Sequence, residues 1–467
     1  MTAETADVII IGTGQAGVPL ASKLAAAGQR VLIVERGVLG GTCVNSGCTP
    51  TKTMIASARA AHVARTAGRL GVRLGRGDDD GSAEVRVDFS AVVARKNAMV
   101  QRWRQGIEKR LAAGGSNLTL LRGHARFVAE REIDVAGRRY SANAVVINVG
   151  ARPVVPPIAG LAAVPCLDSH QVMDLPSLPG HLVVLGGGYV GCELGQMFRR
   201  FGSRVTIVER APHLLAALDD DVGAAIEQVF RDEGITVEVN AEVTRVAAVD
   251  GGVAVTLADG RELRGTHLLV ASGRRPNTDD LGCDRAGIAL GPKGFIVADD
   301  RYRTSAGGVY AVGDAIDQPQ FTHVAWDDHR ILFEGLMGKA TRGRGGRHIP
   351  FTVFTDPQIA GIGLGEREAR AKGVPVEVAS LPFRNVARAI EVDELAGLIK
   401  VLIDPATEQV VGAVIVGAEA GELLHVFVAL MQAKAPARTL VEAEFVHPAY
   451  AEGLQSALMK LPRFSAG

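Results

Sequence analysis

One phrase occurs twice in this chain. Arg30–Arg36 reads RVLIVER and Arg204–Arg210 reads RVTIVER, a single difference in seven residues at a separation of 174 positions. Each phrase closes the same local pattern. The β-branched run Asp7–Ile11 ends in Gly12-Thr13-Gly14-Gln15-Ala16-Gly17. An amphipathic stretch runs to Ala27, and Gly28 precedes the apolar run Val31–Val34, which ends at Glu35. In the second copy Leu182–Leu185 leads into Gly186-Gly187-Gly188-Tyr189-Val190-Gly191. Gly202 matches Gly28, and Val205–Val208 ends at Glu209. Each glutamate stands 23 positions beyond the first glycine of its turn. This is the strand–turn–helix–strand order of a dinucleotide-binding unit. The glycines permit a tight turn and a close approach to a pyrophosphate seated on the helix N-terminus. The terminal carboxylate is placed for ribose hydroxyls. A single GxGxxG is weak in a chain with 56 glycines, but two matched copies predict an α/β fold with two Rossmann-like dinucleotide-binding domains. A duplicated unit that has lost its ligand is the alternative.

At 467 residues and roughly 150 per domain, the chain has room for about three domains. Lys+Arg and Asp+Glu both total 51, so no bulk field exists to hold nucleic acid or an anionic membrane. No apolar run approaches the roughly 18 residues of a membrane span. The N-terminus carries acids where a secretory signal carries Lys or Arg, which reads as cytoplasmic. Further along, Asp78–Glu84 is an acidic loop, Phe89–Leu111 a long charged helix and Val145–Gly150 a buried strand. Pro153–Pro157 looks like a domain crossing, and basic Thr341–Arg347 a solvated linker. Strands at Lys400–Ile403 and Val410–Val416, then helices near Leu423–Lys434 and Ala451–Leu461, predict an α+β third domain with no nucleotide fingerprint.

Five cysteines are too few and too odd in number for a disulfide framework. Cys43 and Cys48 nevertheless lie close together in Gly40-Gly41-Thr42-Cys43-Val44-Asn45-Ser46-Gly47-Cys48-Thr49-Pro50-Thr51-Lys52. Their spacing suits zinc, yet a structural zinc site wants four ligands and no second pair or Cys–His cluster is near; no metal is expected. Buried inert thiols are a second reading. The redox reading makes them a disulfide that is reduced and re-formed, with Lys52 one turn on as a cation favouring thiolate. Cys166, Cys192 and Cys283 have no partner in sequence and read as packing residues.

The segment GGTCVNSGCTPTK resembles the redox-active stretch of the class I pyridine nucleotide–disulfide oxidoreductases, among them glutathione reductase, dihydrolipoamide dehydrogenase and mercuric reductase. GGGYVGCE at Gly186–Glu193, ASGRRPN at Ala271–Asn277, TSAGGVYAVGD at Thr304–Asp314 and HPAYAE at His447–Glu452 extend the resemblance in the family's order over nearly the whole chain. It implies FAD on the first unit and NAD(P)H on the second. The implied domains are 1–152 for FAD, 153–273 for NAD(P), 274–345 returning to FAD, and 346–467 for the interface of a homodimer with shared active sites. It further implies Asp314 on the flavin's ribityl chain, Thr322 near the ring, and cofactor contacts at Thr42, Ala125, Val243 and Gly273. Tyr189 would cover the nicotinamide face of the flavin, and Lys52 with Glu193 would tune its electronics. Electrons would pass to the disulfide, with Cys48 nearest the flavin and Cys43 as the interchange thiol attacking a small disulfide substrate. His447, with Glu452 fixing its tautomer, would be the acid/base serving the partner subunit's disulfide.

The acceptor is less constrained. The chain has no cysteine after Cys283, so the C-terminal pair by which mercuric reductases pass metal inward has no counterpart, and no N-terminal metal-binding domain is recognised. Dihydrolipoamide dehydrogenases place a His where this chain has Phe445, and a Thr where it has Ala449. A low-molecular-weight disulfide is the expected substrate; the alternatives are a dihydrolipoamide dehydrogenase subunit of a multienzyme complex, a metal-ion reductase of the mercuric type, and a flavin redox sensor that does not turn over. Glu209 favours the ribose 2′-hydroxyl of NADH over a 2′-phosphate; Arg210 and His213 are the neighbours that could relieve that repulsion.

Overall fold

The computed structural model describes residues 3–73 and 85–465, so the acidic loop Asp78–Glu84 lies outside the described residues. The chain divides into two units. One contains Met1–Thr53, Val93–Val154 and Gly273–Arg347, and the other Met54–Val92, Val155–Ser272 and His348–Gly467.

In the first unit the β-branched runs become the centre of a parallel sheet buried on both faces. Glu4–Ile11 pairs on one side with Val31–Glu35, in register Val8↔Val31. On the other side it pairs with Arg138–Ile147, in register Ile9↔Val145. Leu118–Arg122 and Val309–Ala311 extend the two flanks. Ile9, Ile10, Ile33, Val145, Val146 and Ile147 are fully buried. The helix Gly17–Ala26 buries Val18, Leu20, Ala21, Leu24 and Ala25. Successive strands lie on opposite sides of Glu4–Ile11, so a topological switch point falls where it and Arg138–Ile147 end.

The second unit repeats that arrangement. His181–Leu185 lies between Arg204–Val208 and His267–Val270, all parallel, in register Leu182↔Val205 and His267↔Leu182. Tyr189–Phe201 follows as the covering helix. The antiparallel strands Val243–Val249, Gly252–Leu257 and Glu262–Gly265 form a separate small sheet.

The C-terminal part of this unit is an antiparallel sheet of five strands. Its centre is Leu398–Ile403 against Val410–Gly417, packed on the helices Ala420–Ala433 and Glu452–Leu458. These elements match the predicted α+β pattern, with small shifts at their ends.

The linker reading of Thr341–Arg347 needs correcting. Arg342 forms a two-pronged pair with Asp327 at 2.6 and 2.7 Å, and Arg347 lies 3.0 Å from fully buried Asp328. The segment does end where the chain passes from one unit to the other, but its charges are paired within the first unit, Arg347 largely buried and Arg342 still partly exposed.

Candidate active site

The two glycine turns sit at the two switch points and are built alike. In the first, the Asn148 N–H donates to Ile11 O at 2.9 Å. A Cβ at Gly12 would collide with the Asn148 carbonyl, and one at Gly17 with Gly12 O. In the second, the Ala271 N–H donates to Leu185 O at 2.8 Å. There a Cβ at Gly186 would come within 2.6 Å of Ala271 O, and one at Gly191 would strike Gly186 O. At Gly188 a Cβ would meet nothing, so that glycine leaves room outside the protein and not within it. A backbone cradle of this kind fits a pyrophosphate.

The strand-end glutamates complete each cradle. Glu35 accepts from the Thr13 N–H at 3.1 Å and the Gly37 N–H at 2.8 Å. Glu209 accepts from the Gly187 N–H at 2.7 Å and the Ala211 N–H at 2.8 Å. Two amides hold each carboxylate in place and leave it further lone pairs for ribose hydroxyls. His213 does not face a nucleotide phosphate as its sequence position allowed. It is buried, with Nδ1 2.8 Å from Leu214 O and Nε2 3.1 Å from Asp220. Arg210 alone of the two basic neighbours is exposed.

The cysteine segment rests directly on the first turn. Gly40 and Gly41 have φ of 105° and 61°, and a Cβ at Gly41 would come within 2.9 Å of Gly14 Cα. A residue with a side chain at position 41 would block that approach. The Gly40 N–H donates to Thr13 Oγ1 at 3.1 Å. Cys43 and Thr42 lie in the short helix Gly41–Asn45, which Asn45 braces by donating to Leu39 O and Gly41 O. Cys48 opens the helix Cys48–Thr66, with Lys52 one turn along it.

Both residues are present as thiols and not as a disulfide in this structure. Cys43 is hydrogen-bonded to Cys48; that bond and burial push its thiol far up, opposed by Thr322 and the charge of Lys52. Cys48 Sγ lies 3.1 Å from Thr322 Oγ1, the first residue of the helix Thr322–Leu336. Two helix N-termini thus meet at Cys48, and each favours negative charge on sulfur. Thr322, expected near the flavin ring, contacts the sulfur itself.

Asp314 is in the turn Gly313–Ala315, paired with Arg274 at 3.0 Å. Burial raises its carboxyl against the pull of Arg274. The preceding Gly313 N–H donates to Asp328 at 2.8 Å, and Asp328 also takes the Tyr302 hydroxyl at 2.7 Å. A mostly buried carboxylate near the first switch point fits the polyol of a flavin dinucleotide. Ala125 is buried at the start of Ala125–Ala129.

In the second unit Tyr189 opens its helix and stacks on Phe351, centroids 5.7 Å apart and planes at 16°. Burial pushes its phenol up to about 12. Buried Glu193 accepts from the Phe354 N–H at 2.8 Å. Val243 starts a strand of the small sheet, and Gly273, in the first unit, is exposed at φ 128°. His447 Nδ1 lies 2.9 Å from Glu452 Oε1, and the Ala449 N–H holds the other carboxylate oxygen at 2.7 Å. These two contacts, the amide first, hold the Glu452 carboxyl below its ordinary value. The imidazole is mostly exposed, which leaves Nε2 toward solvent. The remaining cysteines are not part of this site: Cys192 and Cys283 are buried, and burial raises both thiols, Cys283 to about 11.

Asn148, Asp328 and Phe351 had no signal in sequence, and Arg274 stands in the ASGRRPN stretch without any sign there of its pairing with Asp314. Each acts through a partner many residues away. Among the described residues no helix is long and apolar enough to cross a membrane, and no group of three His, Cys, Asp or Glu is placed to hold a metal.

Comparison with known proteins agrees with this geometry. Residues 6–328 match the family model described as pyridine nucleotide-disulphide oxidoreductase, and residues 349–458 match that family's dimerisation domain. The chain is 34% identical over 454 residues to the probable pyridine nucleotide-disulfide oxidoreductase RclA of Escherichia coli, covering 96% of this chain and 97% of that protein. The solved structure of RclA, described as an HOCl-induced flavoprotein disulfide reductase, superposes with a TM-score of 0.88 over 97% of this chain and 100% of that one, at 34% identity. The chain is 35% identical over 467 residues to a dihydrolipoyl dehydrogenase of Thermus scotoductus, covering 97% of each. It is 32% identical over 457 residues to a mercuric reductase of Staphylococcus aureus, covering 97% of this chain and 82% of that protein.

Proposed function

The chain belongs to the pyridine nucleotide-disulphide oxidoreductase family, and on that premise we propose that it reduces a low-molecular-weight disulfide at the Cys43–Cys48 pair. It is an FAD-containing, NAD(P)H-dependent flavoprotein oxidoreductase with a dimerisation domain. Residues 1–152 and 274–345 form the FAD domain in this reading, 153–273 the nicotinamide-nucleotide domain and 346–467 the interface domain. FAD would be held by Gly12, Gly14, Gly17 and Glu35, with Thr42, Lys52, Ala125, Asp314 and Thr322. The nicotinamide nucleotide would be held by Gly186, Gly188, Gly191 and Glu209, with Val243 and Gly273, and Tyr189 and Glu193 would border its reactive end. NADH is favoured, because Glu209 is fixed by two amides and His213 is turned away. Bound FAD supplies the two-electron link between nicotinamide and sulfur.

The carrying observation is the Cys43–Cys48 pair, in which the Cys43 thiol is hydrogen-bonded to Cys48 and that bond, with burial, pushes it toward its neutral form. Such a thiol needs a base before it can attack. His447, oriented by Glu452, fits that need, and the homodimer would bring it to the partner's pair. Cys43 thiolate then attacks the substrate disulfide, forming a mixed disulfide and expelling one thiolate, which the imidazolium protonates. Cys48 thiolate then attacks the Cys43 sulfur and expels the second half of the substrate as a thiolate, which takes a proton from solvent. The dithiol becomes a disulfide, and the substrate becomes two thiols.

The test is anaerobic reduction of the holoenzyme by NADH and by NADPH, followed by reoxidation with a disulfide panel. Hg(II) and Cu(II) belong in that panel, since RclA has been solved as a Cu(II) complex. Reoxidation by disulfides that is lost in Cys43→Ser supports the reading, whereas reoxidation by metal ions alone refutes it.

A further inference from the structure

The turn that carries His447 is anchored at its middle residue. Tyr450 stacks on Phe383, centroids 5.7 Å apart and planes at 26°. Its hydroxyl donates to Glu394 Oε2 at 3.0 Å. The other oxygen of Glu394 accepts from Arg59 at 2.7 Å, and Arg59 pairs with Asp356 at 2.6 Å. Asp356 lies 2.6 Å from Arg200, which also holds Glu233 at 2.6 Å. Arg200 is buried, its side chain 6% exposed, so the far end of this series is fixed by packing.

His447 lacks such support. Its ring is 69% exposed, and Glu452, a member of the same turn, is its hydrogen-bond partner. The ring's position therefore follows the backbone of the turn. The stack on Phe383 needs no hydroxyl, and the phenol keeps its proton at physiological pH, because burial and then the charge of Glu394 raise it. A permanent donor on a fixed carboxylate is a rigid tether.

We propose that Tyr450, through Glu394 and Arg59, is a positioning residue that aims the His447 imidazole for proton transfer. This rests on the reading of His447 as the acid/base of disulfide reduction. Proton donation matters when the departing thiolate is strongly basic, as from an alkyl disulfide. It matters little for a weakly basic aryl thiolate.

The experiment reduces the holoenzyme with one equivalent of NADH and mixes it with excess 2-hydroxyethyl disulfide or 5,5′-dithiobis(2-nitrobenzoate). Tyr450→Phe keeps the ring stack and deletes the tether. It is expected to slow reoxidation by the alkyl disulfide about tenfold, equivalent to ~1.4 kcal/mol, and by the aryl disulfide distinctly less, since only the deprotonation of Cys43 is then affected, with the rate of reduction by NADH unchanged. Glu394→Gln should follow the same pattern, and His447→Gln a larger version of it. Equal slowing with both disulfides in Tyr450→Phe, or no slowing, overturns the proposal when His447→Gln still discriminates between them. If His447→Gln slows neither disulfide, the acid/base reading falls and the positioning role falls with it.

Discussion

The hydroxyl of Thr322 stands 3.1 Å from the sulfur of Cys48 across 274 residues of sequence. The contact joins the start of one helix to the start of another, so the sulfur lies at the positive ends of two helix dipoles. Replacing Thr322 by Val removes the hydroxyl and keeps the shape. Thiolate on Cys48 should become harder to form by about 1 kcal/mol, the net worth of one hydrogen bond. The long-wavelength thiolate-to-flavin absorbance of the reduced holoenzyme should then titrate at higher pH in Thr322→Val and be restored in Thr322→Ser. That band should vanish in Cys48→Ser; its survival there would contradict Cys48 as the flavin-side thiol.

The twin turns separate two cofactor functions. Gly17→Ala drives a methyl into Gly12 O, and Gly191→Ala drives one into Gly186 O. The first variant should purify without flavin, measured as absorbance at the flavin maximum per protein. The second should retain flavin, while its reduction by NADH slows by about two orders of magnitude or more.

Nucleotide choice should follow Glu209. Glu209→Ala removes the carboxylate that Gly187 and Ala211 hold in place, the acceptor proposed for the ribose. Loss of roughly 1.4 kcal/mol lowers kcat/KM for NADH about tenfold, and activity with NADPH should hold or rise. His213→Gln should leave the NADH/NADPH ratio unchanged, because that ring is engaged with Leu214 and Asp220.

The Arg200 cluster predicts an acid-dependent stability. Burial alone would raise the Asp356 carboxyl, but the charges and hydrogen bonds of Arg200, then Arg59, hold it below its ordinary value of 3.8. A depressed carboxyl contributes its full stability above the unfolded value and loses it as pH falls through the folded one. Asp356→Asn should therefore cost about 3 kcal/mol, near constant from roughly pH 5 to 8. The difference should shrink below about pH 4. Denaturant unfolding across that range measures it.

Local demands made much of this molecule legible in its sequence. Val31–Glu35 and Arg204–Val208 need only alternation and β-branching to become strands, and Gly17 and Gly191 are forced by atoms five residues back. The cysteine pair is likewise a short-range pattern. What stayed hidden depends on partners brought in by folding. Asn148 closes the first turn from 136 residues away. Phe351 reaches Tyr189 from a different sheet, and Arg274 reaches Asp314 across a strand and a loop. His213 misled for the same reason: a charge adjacent in sequence to Glu209 points the other way in space.

Gly41 and Gly14 touch backbone to backbone, which makes the redox segment and the cofactor turn a single mechanical part. A side chain at Gly41 would strike Gly14, so the two surfaces keep one spacing whatever acceptor is offered. Diversification of the electron's destination is thereby pushed onto surfaces outside this part. A lineage built this way can change what it reduces while the apparatus that delivers the electrons stays as it was.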